Sequence, residues 1–145
     1  MLSKTKVIVY HTAEDLFKVF RTFNVLIIGD VMIDSYLWGK VDRISPEAPV
    51  PILQVEKREI RPGGAANVAL NIKSLGATPL LCGLVGDDAD GTNFLKILQD
   101  NNLPTEGIVS SKDRVTTIKH RIISNAHHML RVDQEDDKVT NSNEL

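Results

Sequence analysis

Asp30 and Asp34 stand at and just beyond the end of the apolar run VLIIGD (25–30). Carboxylates so placed can pair as general acid and base, hold a metal, or accept hydrogen bonds from sugar hydroxyls. A carboxylate suits polyol recognition because it accepts two directional bonds and rejects analogues lacking the hydroxyls. Asp30 reads equally well as a loop or cap residue. Further on, Gly63-Gly64 with Asn67 open a helical pattern. The first amides of a helix lack partners, so such a mouth can hold hydroxyl or anionic groups. A plain helix-start turn uses the same residues. No Gly-Lys-Ser/Thr follows, so this is not a Walker A loop, and GLVGDD (83–88) is not the dinucleotide fingerprint.

Lys119, Arg121 and Arg131 fall on a predicted hairpin and can clamp a phosphate, although Lys119 reads equally as a solvated strand charge. His127-His128 are adjacent on a strand and point to opposite faces. With no Cys or third His spaced to complete a site, no metal site is expected. Glu135-Asp136-Asp137 reads as solvated surface. Cys82, in LLCGLV (80–85), is the only cysteine; it reads as a small buried hydrophobe and cannot form an internal disulfide.

The elements that must position these residues follow a recognisable order. Val7–Tyr10 stays unassigned. Thr12 and Asp15 resemble a capping box, and the broad apolar face of Leu16, Phe17, Val19, Phe20 and Phe23 predicts an amphipathic packing helix over 13–22. VLIIGD predicts a central parallel strand buried on both faces, which puts Asp30 and Asp34 past its carboxyl end, where ligands gather in open α/β sheets. Segments 35–41 and 50–60 are extended. The three prolines of RISPEAPVP (43–51) between them favour a stiff, extended or edge-strand path.

RPGGAANVALNIKSLGA (61–77) predicts a loop turning into a helix, with Gly76 past its end. PLLCGLVG (79–86) is a second buried strand, and DGTNFLKILQDNN (90–102) a surface helix starting near Asp90. Strand, glycine loop, helix, strand, helix is the grammar of a parallel sheet. RVTTIKHRIISNAHHMLRVD (114–133) predicts a β-hairpin turning at Asn125-Ala126, with faces not simply apolar and polar.

The 145 residues are 42% hydrophobic, 25% charged and 5% aromatic, the profile of one soluble α/β or α+β domain. Seventeen Lys+Arg against nineteen Asp+Glu give a net charge of −2, which argues against electrostatic capture by nucleic acid or anionic lipid. No apolar run reaches the ~18–20 residues of a membrane span, and the start has no signal-peptide pattern, so a cytoplasmic location is expected. The polar close DQEDDKVTNSNEL (133–145) brings no final packed element and reads as a cut.

Taken together, GDVMID (29–34), RISPEAPVP (43–51), RPGGAANVALNIKSLGA (61–77), GLVGDDADG (83–91) and TTIKHRIISNAHHMLRVD (116–133) resemble the N-terminal half of a ribokinase-like sugar kinase of the phosphofructokinase B type. Within that family, RISPEAPVP with RPGGAANVA is similar to the heptose-phosphate kinases, which phosphorylate D-glycero-β-D-manno-heptose 7-phosphate at its anomeric oxygen for ADP-heptose and lipopolysaccharide core.

The resemblance implies a partial ribokinase-like α/β fold, a three-layer parallel sheet with a β-sheet lid from about 35–60 and 115–133, preceded by an extension over 1–23. It implies that Asp34 takes sugar hydroxyls, that Gly63, Gly64 and Asn67 line the sugar's other side, and that Arg121 and Arg131 take the substrate phosphate. It further implies a homodimer through the lid. The family's catalytic Asp, in a Gly-Ala-Gly-Asp element, and its ATP site lie in a C-terminal half that these residues do not include. ATP and Mg2+ are therefore expected for the complete enzyme, with no catalytic residue and no bound cofactor in this chain alone, which is expected to be inactive. A kinase for another sugar or a nucleoside, and a non-catalytic sugar-binding or dimerisation module, are the alternatives.

Overall fold

The computed structural model describes residues 12–138, so Val7–Tyr10 lies outside it. The elements run α1 (Ala13–Phe20), β1 (Asn24–Ile28), β2 (Val31–Ile44), β3 (Pro51–Gly64), α2 (Ala65–Ser74), β4 (Thr78–Gly86), α3 (Ala89–Asp100), β5 (Ile108–Ser111), β6 (Ile118–Ser124) and β7 (His127–Gln134). Thr12 caps α1 as its sequence predicts: its hydroxyl oxygen accepts from the Asp15 amide at 3.1 Å. The packing role does not follow, for no residue of α1 is buried. Instead Phe17 lies edge-on to Phe20 at 5.6 Å, and Phe20 meets Phe23, beyond the helix end, at 6.3 Å.

Parallel strands β1, β4 and β5 form a sheet in that order, so among the described residues β1 pairs with β4 alone. The burial on both faces expected of it is not found. Leu81 and Val85 of β4 point into a core with Ala66 and Ala69 of α2 and Phe94 and Leu98 of α3. Because strand side chains alternate, the opposite face carries Leu26, Ile28, Leu80 and Val109, which stay 45–76% exposed. Both helices cover one face, so the described residues hold two of the three expected layers. Phe94 is 0% exposed at the centre of this core; truncating such a side chain to Ala typically costs about 3–5 kcal/mol.

The second sheet, in the order β3-β2-β6-β7, holds the segments for which the resemblance implies a lid. β2 leaves the first sheet directly after Gly29-Asp30 and pairs antiparallel with β3 along its length. Of the proline-rich segment, expected to follow a stiff, extended or edge-strand path, Arg43, Ile44 and Pro51 lie in β2 and β3, while residues 45–50 turn back between them, with Ser45 N–H donating to the Val50 carbonyl at 2.8 Å. The prolines sit where a missing N–H costs no ladder bond: Pro46 and Pro49 in the bend, Pro51 at a strand end. Residues 61–64, read as loop, complete β3. β6 adds to β2 in parallel, and β7 returns through Asn125 and Ala126, both at positive φ (49° and 63°), as the tight hairpin turn requires. α3 begins one residue before Asp90, because Asp88 is its cap.

Candidate functional site

Where β2 and β3 of the second sheet meet α2, a cleft of about 350 Å³ is lined by Asp34, Tyr36, Ile60, Arg61, Pro62, Asn67, Leu70 and Asn101. Asp34 enters it from β2 and Asn67 from the first turns of α2, so two residues singled out in sequence share one opening. A larger open concavity of about 590 Å³ lies along the outer part of the β2–β3 hairpin, lined by Asp42, Arg43, Ile52, Leu53 and Gln54. None of the candidate side chains reaches it.

Asp34 is not free. Its Oδ1 accepts a hydrogen bond from Nη1 of Arg121, and the two side chains are only 17% and 20% exposed. Register explains the meeting: β6 lies beside β2 with Asp34 opposite Lys119 and Tyr36 opposite Arg121, so these side chains share one face. Arg61 is opposite Asp34 on the other flank. Tyr36 is the centrepiece, its ring carrying the Arg61 guanidinium at 5.1 Å and that of Arg121 at 5.3 Å, while it stacks on Trp38 at 6.0 Å. Arg61 is steadied by Glu59, which accepts from its Nε at 2.6 Å. Hydrogen bonds from Lys57 and Arg61 hold the Glu59 carboxyl below its ordinary pKa.

The two glycines have separate tasks. A Cβ at Gly63 would stand 2.7 Å from Oδ2 of Asp34, so the bare backbone makes room for that carboxylate. Gly64 adopts φ +58°, and a Cβ there would stand 2.3 Å from the Asp30 carbonyl oxygen. It does not line the cleft; it turns β3 into α2, whose first amide, Ala65 N–H, donates to that same carbonyl at 2.8 Å. Asp30 thus engages α2 through its backbone carbonyl, and its side chain lies outside the cleft lining.

Arg131 is opposite Arg121 in register, yet it is 59% exposed and turned to Asp133, donating from Nε at 3.0 Å. Lys119 is drawn between Glu135 (2.7 Å) and Asp133 (2.9 Å). Those bonds raise its pKa, and the run 135–137 is correspondingly not all idle surface. His127 donates from Nδ1–H to the Asn125 carbonyl, 2.7 Å away. Tyr36, Arg61 and Asn101 were missed in sequence. Tyr36 and Arg61 follow from strand parity with Asp34 and Gly63, a signal hidden while 61–64 passes for loop. Asn101 comes from the far end of α3, where its carbonyl accepts from Lys73 Nζ at 2.6 Å.

Comparison with known proteins adds the following. The description "pfkB family carbohydrate kinase" matches residues 22–143. Bifunctional protein HldE of Helicobacter pylori (strain P12) is 52% identical over 112 residues, which cover 77% of this chain and 24% of that protein. The chain therefore spans about a quarter of the length of the curated relatives it matches. Among solved structures, the Methanocaldococcus jannaschii nucleoside kinase, an archaeal member of the ribokinase family, superposes with a TM-score of 0.57 at 19% identity, covering 77% of this chain and 36% of that one. An uncharacterized sugar kinase from Pyrococcus horikoshii, in complex with ATP, gives a TM-score of 0.53 at 28% identity over 81% of this chain and 35% of that one.

Proposed function

This chain belongs to the pfkB family of carbohydrate kinases, and from that premise we propose that it is the sugar-binding and lid part of an ATP-dependent heptose-phosphate kinase. Its substrate would be D-glycero-β-D-manno-heptose 7-phosphate, phosphorylated at the anomeric oxygen. One observation carries the reading: a cleft that sets a carboxylate, Asp34, and an amide, Asn67, beside the guanidinium groups of Arg61 and Arg121. The carboxylate and amide match hydroxyls, and the cations match a phosphate at the far end of the same molecule.

In this mechanism Asp34 accepts hydrogen bonds from sugar hydroxyls and Asn67 bonds the sugar from the α2 side. Gly63 keeps the approach to Asp34 open, Pro62 and Leu70 exclude water, and Arg121 holds the phosphate, with Arg131 reaching it once the lid closes. Phosphoryl transfer depends almost wholly on positioning and charge stabilisation, and this part of the protein supplies the positioning of the acceptor. ATP with Mg2+ would supply the phosphoryl group. The described residues do not fit that pair: the cleft has no lysine or glycine-rich phosphate cradle, and no three His, Cys, Asp or Glu among them are grouped to hold a metal ion. No step here is routed through the nucleotide.

A second copy of the chain is the proposed partner of the lid. The row Leu37, Ile122 and Leu130 and the neighbouring Val132 share the face away from Asp34, and Leu130 and Val132 are 57% and 46% exposed. The proposed boundary sets an extension, 1–23, before the kinase part, 24–145. The proposed location is the cytoplasm; no described helix is long and apolar enough to cross a membrane.

Calorimetric titration of the chain with heptose 7-phosphate, fructose 6-phosphate and a nucleoside tests the substrate. Saturable binding of the heptose phosphate, tightest of the three and lost in Asp34→Ala, is expected. Equal or tighter binding of the nucleoside would overturn the assignment.

A further inference from the structure

We infer that Arg121 is a specificity gate on Asp34, closed by their ion pair and opened by the phosphate of the substrate. The inference rests on the sugar-phosphate reading above and adds how that site rejects unphosphorylated sugars. One oxygen of Asp34 is taken by Arg121, and the other lies close to Gly63. A neutral sugar hydroxyl competes poorly with a guanidinium for a carboxylate that is only 17% exposed, so its grip on Asp34 is weakened while Arg121 stays paired there.

A phosphate can. It carries up to two charges and accepts bidentate bonds from guanidinium, and it would find Arg121 and Arg61 already set over the Tyr36 ring, at 5.3 and 5.1 Å. Drawn to the phosphate, Arg121 keeps its place over that ring while releasing Asp34 to the hydroxyls. No other cation takes over the carboxylate: Lys119, opposite Asp34 in register, is held by Asp133 and Glu135, and Arg61 is held by Glu59. Phosphate recognition and hydroxyl recognition are thereby coupled through one side chain, and the coupling is reciprocal.

The test uses the 145-residue chain, unphosphorylated D-glycero-D-manno-heptose and inorganic phosphate as separate ligands. Saturating phosphate, against chloride of equal ionic strength, is expected to tighten heptose binding about tenfold, within the range of known coupling between sites. Arg121→Met is expected to tighten heptose binding by a similar factor without phosphate and to abolish the phosphate effect. If the variant does not fold, the phosphate titration of the unaltered chain still decides. Binding of heptose 7-phosphate with no phosphate effect on heptose overturns the gate alone. Failure of the unaltered chain to bind either sugar overturns the sugar-phosphate reading and the gate with it.

Discussion

The Asp88 carboxylate accepts hydrogen bonds from both the amide (2.8 Å) and the hydroxyl (2.7 Å) of Thr116, a residue 28 positions away. It also caps α3, accepting from Gly91 N–H at 2.6 Å, and the Thr116 hydroxyl oxygen in turn accepts from Gly86 N–H at 2.9 Å. One buried threonine and one carboxylate thus fasten the end of β4, the start of α3 and the chain entering β6. The lid strand that carries Arg121 is anchored to the parallel sheet at this point.

Replacing Asp88 by Ala removes a helix cap and leaves the Thr116 amide without its acceptor. A loss of about 2–3 kcal/mol is expected from urea unfolding, with Asp88→Asn between the two. A loss under about 0.5 kcal/mol would show that water replaces the carboxylate and that the clip is incidental.

The same carboxylate sets a pH dependence. Desolvation pushes Asp88 up, but the hydrogen bonds from Thr116 and Gly91 outweigh it and hold the group below its ordinary value of 3.8. A depressed folded-state pKa contributes stability that is full above the unfolded value, about 4, and is lost as pH falls through the folded value. The stability difference between the unaltered chain and Asp88→Asn should therefore be constant from pH 7 to about 5 and shrink below about 4. A difference that widens on acidification would contradict the assignment.

The adjacent glycines should fail differently. In Gly63→Ala the new methyl meets side-chain atoms and no backbone, the Asp34 carboxyl at 2.7 Å and Met32 Cγ at 2.8 Å, so the side chains must shift. The fold should survive while Asp34 is displaced, with sugar binding weakened about tenfold or more by loss of its charged hydrogen bonds. In Gly64→Ala the methyl meets the backbone oxygen of Asp30 at 2.3 Å and demands a positive φ, so stability should fall by about 1–3 kcal/mol from strain alone. Thermal melts paired with sugar titrations separate the two outcomes; equal melting temperatures would refute the distinction.

If two copies meet through the lid, Leu130→Asp places a charge in the centre of that contact, on a strand residue whose exposure makes the change harmless to the monomer fold. Sedimentation should move from dimer to monomer at micromolar concentration with an unchanged circular dichroism spectrum. A monomer before and after the substitution would remove the lid from consideration as an interface.

Local chemistry was legible in the residues themselves: the Thr12 cap, Gly76 ending α2, the turn at Asn125-Ala126, the strand–helix alternation, and the helix that Gly63-Gly64 and Asn67 open. Each depends on neighbours within a few positions, where side-chain spacing and backbone preference act directly. Tertiary structure decided what depends on distant segments. An apolar run such as 25–28 says that a strand can be buried on both faces, while cover on each face depends on which helices pack there, and Leu26 and Ile28 stay exposed. Register between β2, β3 and β6 brought Arg61, Tyr36 and Arg121 onto one face, and competition among nearby carboxylates sent Lys119 and Arg131 to Asp133 and Arg121 to Asp34. A charge in the sequence has no partner of its own; it takes the one that folding sets beside it.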